Sequence, residues 1–146
     1  MKILLDTNIL VHAYNKSSPH QQEAANILKK ALKGETNACL TPQILYELFA
    51  VVTNPKRVEK PLPIAEAADL CIDLWESNNI DKLNHSEVTL LEVFKLVKKL
   101  KLDRAKIFDC VLAVIAKENN VKTIFTENID DFKRYSFLKT HNPFER

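Results

Sequence analysis

The chain has 146 residues, of which 46% are hydrophobic and 27% are charged, and its formal net charge is +2. This length and apolar content suffice for one compact core but not for two, so we predict a single domain over residues 1–146. No apolar run approaches the roughly 18 residues of a membrane helix, and the amino terminus lacks a signal-peptide pattern. We therefore expect a cytoplasmic protein without membrane contact.

Residue counts exclude several kinds of site. Gly34 is the only glycine, whereas the dinucleotide fingerprint, the phosphate loop and the nucleophile elbow all depend on glycines, so we expect no nucleotide cofactor. The three cysteines lack disulfide or zinc-ligand spacing, and we interpret them as buried reduced thiols. The four histidines show no metal-ligand spacing and receive no predicted role.

Short apolar strands alternate with amphipathic helices along the chain. Residues 2–5 form an apolar run that stops at Asp6, which predicts a buried strand followed directly by a helix. A helix is predicted at residues 20–33, with Gly34 as its stop signal. Further predicted elements are a strand at 38–40, a helix from Pro42 capped by Thr41, helices at 63–76 and 86–99, a strand at 80–83, a helix from its cap Asp103 to Asn119, a strand at 121–125, a helical turn at 130–133 and a strand near 138–140.

This alternation predicts an α/β fold in which crossover helices cover both faces of a parallel sheet. Ligand sites of such sheets lie outside the carboxyl ends of the strands. Asp6 ends the first strand, and Thr126, Glu127 and Asn128 follow the strand that ends at Phe125. The alternative reading is local, because Asp6 could serve only as a helix N-cap and turn chemistry could account for Asn128.

Two predicted helices each offer a further carboxylate. Glu47 projects roughly 40° beyond the edge of its helix's apolar arc, which is a boundary position, although an ordinary surface glutamate would also fit. Asp109 has Leu112 and Ala113 as helical neighbours, so its surroundings are partly apolar. Lys106, three residues earlier, could pair with it in a surface ion pair.

Carboxylates that share a cleft raise one another's pKa unless a cation neutralises them. Ligation by oxygen alone selects Mg²⁺ or Mn²⁺ over zinc, and such ions keep positions open for phosphate oxygens and a nucleophilic water. Hydrolysis of a phosphodiester is therefore the predicted chemistry. Lys56, Arg57, Arg104 and Lys106 are candidate phosphate contacts, although such basic runs are often solvated faces; no stacking platform for bases is evident.

Taken in order, these motifs resemble the PIN-domain family. The matching segments are 4–10 at the start, 42–48 and 108–116 around Glu47 and Asp109, the loop 52–57, the last acidic motif 126–132 and the ending 142–144. The resemblance covers nearly the whole chain. It implies a three-layer sandwich around a roughly five-stranded parallel sheet, and Mg²⁺- or Mn²⁺-dependent endonucleolytic cleavage of RNA.

The resemblance also implies roles for individual residues. Asp6, Glu47, Asp109 and Asp131 would be catalytic, and the ion would be held by Asp6, Asp109 and Asp131 with Asn128. Many family members carry aspartate two residues after the threonine, where this chain has Asn128, so either Asn128 or Asp131 would take the fourth position.

Thr126 and Asn8 resemble residues that orient Asp6 by hydrogen bonds. Similarity to the VapC-type toxin ribonucleases implies an antitoxin partner and a homodimer. Two other functions stay open. One is a phosphatase with Asp6 as nucleophile, although Asn8 stands where that chemistry usually needs a second aspartate; the other is a non-catalytic module that binds RNA or protein on a PIN scaffold.

Overall fold

The structure is a computed structural model that describes residues 1–145, in which five strands are connected by seven helices. The strands are β1 (Lys2–Leu5), β2 (Asn37–Leu40), β3 (Ile80–Lys82), β4 (Thr123–Phe125) and β5 (Lys139–His141). The helices are α1 (Thr7–Tyr14), α2 (Gln21–Leu32), α3 (Pro42–Val52), α4 (Ile64–Glu76), α5 (Thr89–Leu100), α6 (Lys106–Glu118) and α7 (Ile129–Phe132).

All strand pairings are parallel, in the order β3-β2-β1-β4-β5, which confirms the predicted α/β sandwich around a five-stranded parallel sheet. The central strand β1 pairs with β4 so that Leu5 lies opposite Phe125. The amide of Asp6 then donates to the carbonyl of Phe125 at 3.0 Å, and the amide of Thr126 donates to that of His141, also at 3.0 Å. Asp6 and Thr126 therefore leave the sheet side by side at its carboxyl edge.

The core lies on both sides of β1 and along α6. Ile3, Leu4 and Leu5 are buried because helices cover both faces of a central parallel strand. In α6, residues 112–116 are all buried, and because they span more than one turn, this part of the helix is enclosed by the core on all sides. The part of α6 that carries Asp109 is therefore held on a rigid element.

Local chemistry fixes the helix ends near the sheet edge. Asp6 caps α1, and the Thr41 hydroxyl caps α3 by accepting from the amide of Ile44 at 3.2 Å, as predicted. The stop after α2 is also confirmed, since Gly34 adopts a φ of 75°, which costs a glycine little.

Three predicted boundaries are wrong. Helix α5 begins at Thr89 rather than at 86, because the Ser86 amide donates to the Thr89 hydroxyl before the helix starts. The predicted cap of α6, Asp103, lies outside the helix, whose cap residue is Ala105 without a side-chain hydrogen bond. The fourth strand begins at Thr123 rather than at 121, because the amide of Val121 donates to the carbonyl of Ala116 at 2.9 Å and so closes the end of α6.

The free cysteines agree largely with the prediction of buried thiols: Cys39 and Cys110 are buried, and Cys71 is partly exposed. No helix among residues 1–145 is both long enough and apolar enough to cross a membrane.

Candidate functional site

Asp6 is the most constrained acidic side chain at the carboxyl edge of the sheet. It is only 5% exposed. Its Oδ1 accepts from the amide of Thr7 at 2.8 Å, and its Oδ2 accepts from the Thr126 hydroxyl at 2.8 Å and from Nδ2 of Asn8 at 3.1 Å. The hydrogen bonds expected from the sequence for Thr126 and Asn8 are thus present, both to Oδ2, and together with the Thr7 bond to Oδ1 they fix both oxygens of the carboxylate.

The surroundings of Asp6 shift the pKa of its carboxyl group in opposite directions. Burial raises the pKa of this carboxyl above its usual value, and the negative charge of Glu47 raises it further. The hydrogen bonds from Thr126, Thr7 and Asn8 lower the pKa. A buried carboxylate under these conditions binds either a proton or a cation readily.

Glu47, on α3, is half-buried, and two neighbouring side chains donate hydrogen bonds to its carboxylate. Its Oε2 accepts from the Thr7 hydroxyl at 3.0 Å, and its Oε1 accepts from Nε2 of Gln43 at 2.8 Å. Gln43 also donates to the carbonyl of Phe108 at 3.2 Å, which ties α3 to α6 beside Asp109. Glu47 is therefore oriented towards the sheet edge and is not an ordinary solvated glutamate.

Asp109, near the start of α6, is a second acidic group whose pKa is raised. Burial raises its pKa to about 7, with further contributions from the charges of Asp131, Asp6 and Glu47, while Arg134 acts in the opposite direction. The alternative reading, an ion pair between Asp109 and Lys106, is wrong. Nζ of Lys106 lies 3.6 Å from the carboxylate of Asp103 instead.

A cleft of about 560 Å³ joins these elements. Of the residues predicted for the site, those that line it are Asp6, Asn8, Glu47, Arg57, Asp109 and Asn128. Thr126 is fully buried beneath Asp6. Asp131 is exposed on α7 outside this lining, although its charge reaches Asp109. Lys56, Arg104 and Lys106 are exposed and do not line the cleft.

The donor set of the cleft is compatible with a hard divalent cation. Within the described part of the chain, no three acidic, histidine or cysteine side chains are close enough to enclose an ion by themselves. Mg²⁺ commonly binds through one or two carboxylates and retains several waters, so such a cage is not required. The pKa of Asp109 is raised first by burial and then by the neighbouring carboxylates, and a bound cation would offset the second of these effects.

Among the lining residues without a predicted role, His12 and Glu127 contact each other. His12 on α1 contacts the carboxylate of Glu127 through Nε2, and the amide of Glu127 donates to Oδ1 of Asn8 at 3.1 Å. The sequence carried one signal for this, since His12 lies four residues after Asn8 and so on the same face of α1. The partner Glu127 becomes visible only through the pairing of β1 with β4.

Comparison with known proteins agrees with this architecture. The family model of the PIN domain matches residues 3–138. The chain belongs to the PIN-domain family. Among relatives of this PIN domain, the protein named ribonuclease VapC24 of Mycobacterium tuberculosis is 30% identical over 139 residues, which cover 95% of this chain and 94% of the relative.

Solved structures share the fold of this PIN domain. The crystal structure of VapBC2 from Rickettsia felis, bound to a promoter DNA fragment, contains a chain with a TM-score of 0.66 and 24% identity, covering 97% of this chain and 98% of that one. The structure of VapBC-1 from nontypeable Haemophilus influenzae gives a TM-score of 0.67 and 20% identity, with coverages of 99% and 100%.

The fourth acidic position of this PIN domain has two candidates in different surroundings. Asn128 lines the cleft, and its backbone amide donates to the Thr126 hydroxyl at 3.0 Å. The backbone amide of Asp131 donates to the backbone carbonyl of Asn128 at 3.1 Å, so Asp131 lies one helical turn further along, in α7. The assignment of either residue as a metal ligand stays a prediction.

Proposed function

We propose that this PIN domain is a divalent-metal-dependent endoribonuclease. The observation that carries the proposal is the convergence of Asp6, Glu47 and Asp109 on one cleft at the carboxyl edge of the sheet. The name of the 30% identical relative, ribonuclease VapC24, supports RNA as the substrate.

The side chains of the cleft have distinct tasks in this proposal. Asp6 and Asp109 hold the ion, which is Mg²⁺ or Mn²⁺, with Asn128 or Asp131 as a further ligand. When bound, the ion supplies a water of lowered pKa and stabilises negative charge on the phosphate oxygens. Glu47, oriented by Thr7 and Gln43, positions the ion or the attacking water. The products carry 5′-phosphate and 3′-hydroxyl ends.

Arg57 is the strongest candidate for contact with the RNA backbone. It is exposed and lines the same cleft as the carboxylates. A guanidinium group there binds phosphate oxygens and offsets the negative charge of the acidic side chains. Because its contacts are to the backbone, Arg57 contributes to affinity and not to sequence preference.

The partners follow from the family and from the surface. The solved VapBC structures support an antitoxin that binds this chain. A homodimer is supported by exposed apolar side chains on α5 and at the start of α6, of which Leu90, Leu91, Phe94 and Phe108 are each more than half exposed. A cytoplasmic location belongs to the same proposal. Light scattering on the wild type and on Leu91→Lys would test the dimer, which the charged variant should dissociate.

Cleavage of a mixed-sequence single-stranded RNA tests the proposed activity. The wild type is assayed with Mg²⁺, Mn²⁺ and chelator beside Asp6→Asn, Asp109→Asn and the control Asp103→Asn, with circular dichroism as the folding check. Cleavage that requires metal, survives in the control and disappears in the two cleft variants supports the proposal. A folded wild type that binds RNA equally with and without metal, and never cuts it, would favour a non-catalytic binding module.

A further inference from the structure

A hydrogen-bonded chain runs from α1 to the end of β4 beside the acidic cleft. Nε2 of His12 contacts the Glu127 carboxylate, and Nδ1 of His12 contacts the Ser18 hydroxyl. The side chains of His12 and Glu127 are 20% and 32% exposed, respectively. Both residues line the cleft, although neither belongs to the acidic group described above.

The neighbours of His12 determine how its two ring nitrogens are used. The Ser18 oxygen accepts a hydrogen bond from the amide of His20 at 3.0 Å, so its own hydrogen can be donated to Nδ1 of His12. Nε2–H of His12 then donates to Glu127, which as a carboxylate can only accept. Both ring nitrogens of His12 are thus engaged by protein partners, which argues against a direct part in catalysis.

Glu127 is the middle residue of a segment that contributes twice to the site. Before it, Thr126 donates to Asp6, and after it, Asn128 lines the cleft. The segment is attached to α1 at three points: Nδ2 of Asn8 donates to the Thr126 hydroxyl at 3.3 Å, the Glu127 amide donates to Oδ1 of Asn8, and the Glu127 side chain contacts His12. Of these, the contact with His12 is the one that holds the Glu127 side chain.

Packing restrains the ring of His12. Its centroid lies 5.2 Å from that of Phe144 in an edge-on arrangement, and 5.3 Å from that of His20. His20 in turn stacks on Phe144 with centroids 4.6 Å apart. These two rings restrict the rotation of His12, and the backbone amide of His20 also joins the network through the Ser18 hydroxyl.

We infer that His12 is a positioning residue of this PIN domain, which acts through Glu127 to hold residues 126–128 in the conformation that orients Asp6 and presents Asn128. The inference rests on the proposed function for its consequence, a weaker hold on the divalent ion when the link is broken. Its structural part, the restraint of residues 126–128 by His12, can be measured without metal or RNA.

Hydrogen–deuterium exchange of the metal-free protein tests the restraint itself. His12→Ala and Glu127→Ala should each accelerate exchange at residues 126–128, and the control His85→Ala, at an exposed residue that does not line the cleft, should not. Glu127→Ala alters a partly exposed side chain, so it remains informative if His12→Ala folds poorly. Exchange at this segment that is unchanged in both folded variants would overturn the inference, whether or not the protein is a nuclease.

Calorimetric titration with Mn²⁺ tests the consequence. We expect His12→Ala and Glu127→Ala to weaken Mn²⁺ binding by about 10-fold, the lower end of what supporting residues around a metal site contribute. Glu127→Gln, whose amide oxygen still accepts from His12, should recover most of that loss, and the control His85→Ala should bind like the wild type. Wild-type affinity in both alanine variants would overturn the inference, whereas a wild type that neither binds Mn²⁺ nor cuts RNA would overturn the proposed function.

Discussion

The Thr126 hydroxyl donates a 2.8 Å hydrogen bond to Oδ2 of Asp6, although 120 positions separate the two residues in the sequence. The bond forms because β1 and β4 are neighbouring strands in which Leu5 pairs with Phe125. Asp6 follows Leu5 and Thr126 follows Phe125, so the two side chains meet. The bond crosses the central pair of strands at the edge where the cleft opens. The orientation of Asp6 therefore depends on the sheet as well as on its own helix cap.

Replacing this donor should weaken ion binding while leaving the fold in place. Thr126→Val keeps the buried shape but leaves Oδ2 of Asp6 without its shortest donor. We expect Mn²⁺ affinity to fall about 10- to 100-fold. Thr126→Ser retains the hydroxyl and is the matched control, with affinity close to the wild type in the same titration. Equal affinity of the valine and serine variants would contradict this role of the bond.

The metal-free protein should lose stability as the pH rises towards 7. The folded state holds the Asp109 proton up to a pKa of about 7, whereas the unfolded chain releases it near its usual value of 3.8. Between these values the folded state binds more protons, so the free energy of unfolding falls with increasing pH. In chelator, Asp109→Asn should therefore melt at a higher temperature than the wild type at pH 8, with a smaller difference at pH 4.5. A difference that is the same at both pH values would show that Asp109 is not perturbed.

Ion binding should release protons in the same pH range. Because a carboxylate must be deprotonated to ligate a metal, binding at pH 6.5 displaces the proton that a raised pKa leaves on Asp109. Calorimetry in buffers of different ionisation enthalpy should show proton release at pH 6.5 and much less at pH 8.5. The variant Asp109→Asn should bind weakly and release fewer protons at pH 6.5.

The basic residues proposed from the sequence should differ in their effect on RNA binding. Arg57 lines the cleft, whereas Lys106 lies outside it beside Asp103. With cleavage suppressed by chelator, Arg57→Ala should weaken RNA binding and reduce its salt dependence by about one unit of slope, the effect of one lost phosphate contact. Lys106→Ala should change the RNA affinity and its salt dependence much less. Equal effects of the two variants would indicate a diffuse basic surface instead.

A substitution in a second polar cluster, away from the cleft, should lower stability without changing Mn²⁺ affinity. The hydroxyl of Thr89, which is fully buried, donates to Glu118 at 2.6 Å and accepts from the amide of Ser86 at 2.8 Å, joining the start of α5 to the end of α6. Thr89→Val should lower the free energy of unfolding by about 1–3 kcal/mol, because buried polar groups lose a partner. Urea unfolding measures this loss. Mn²⁺ affinity should stay at the wild-type value, since the cluster does not line the cleft.

Periodicity and end signals in the sequence were sufficient to predict the sheet and most of the helices. Apolar runs marked β1 and β2, and the glycine stop and threonine cap fixed the ends of α2 and α3. The prediction was wrong at α6, because Asp103 has a common capping residue type but Arg104 adopts a positive φ of 52° and the helix starts later. Backbone geometry of this kind is set by tertiary packing and not by local residue preference.

The acidic residues were predicted more easily than their partners. The strand end marked Asp6, and apolar helical neighbours marked Asp109. The bonds from Thr7 and Gln43 to Glu47, however, depend on how α1 and α3 pack against each other. The exposure of Phe108, 56%, likewise follows from the position of α6 at the surface and has no signature in the sequence.

Diffraction from a crystal containing Mn²⁺, recorded at the manganese absorption edge, would test the central claim most directly. We predict an anomalous peak in the cleft, within bonding distance of carboxylate oxygens of both Asp6 and Asp109, and its loss in crystals of Asp109→Asn. A peak bound elsewhere, or none at a Mn²⁺ concentration at which the same protein cleaves RNA, would contradict the assignment of these carboxylates as the metal site.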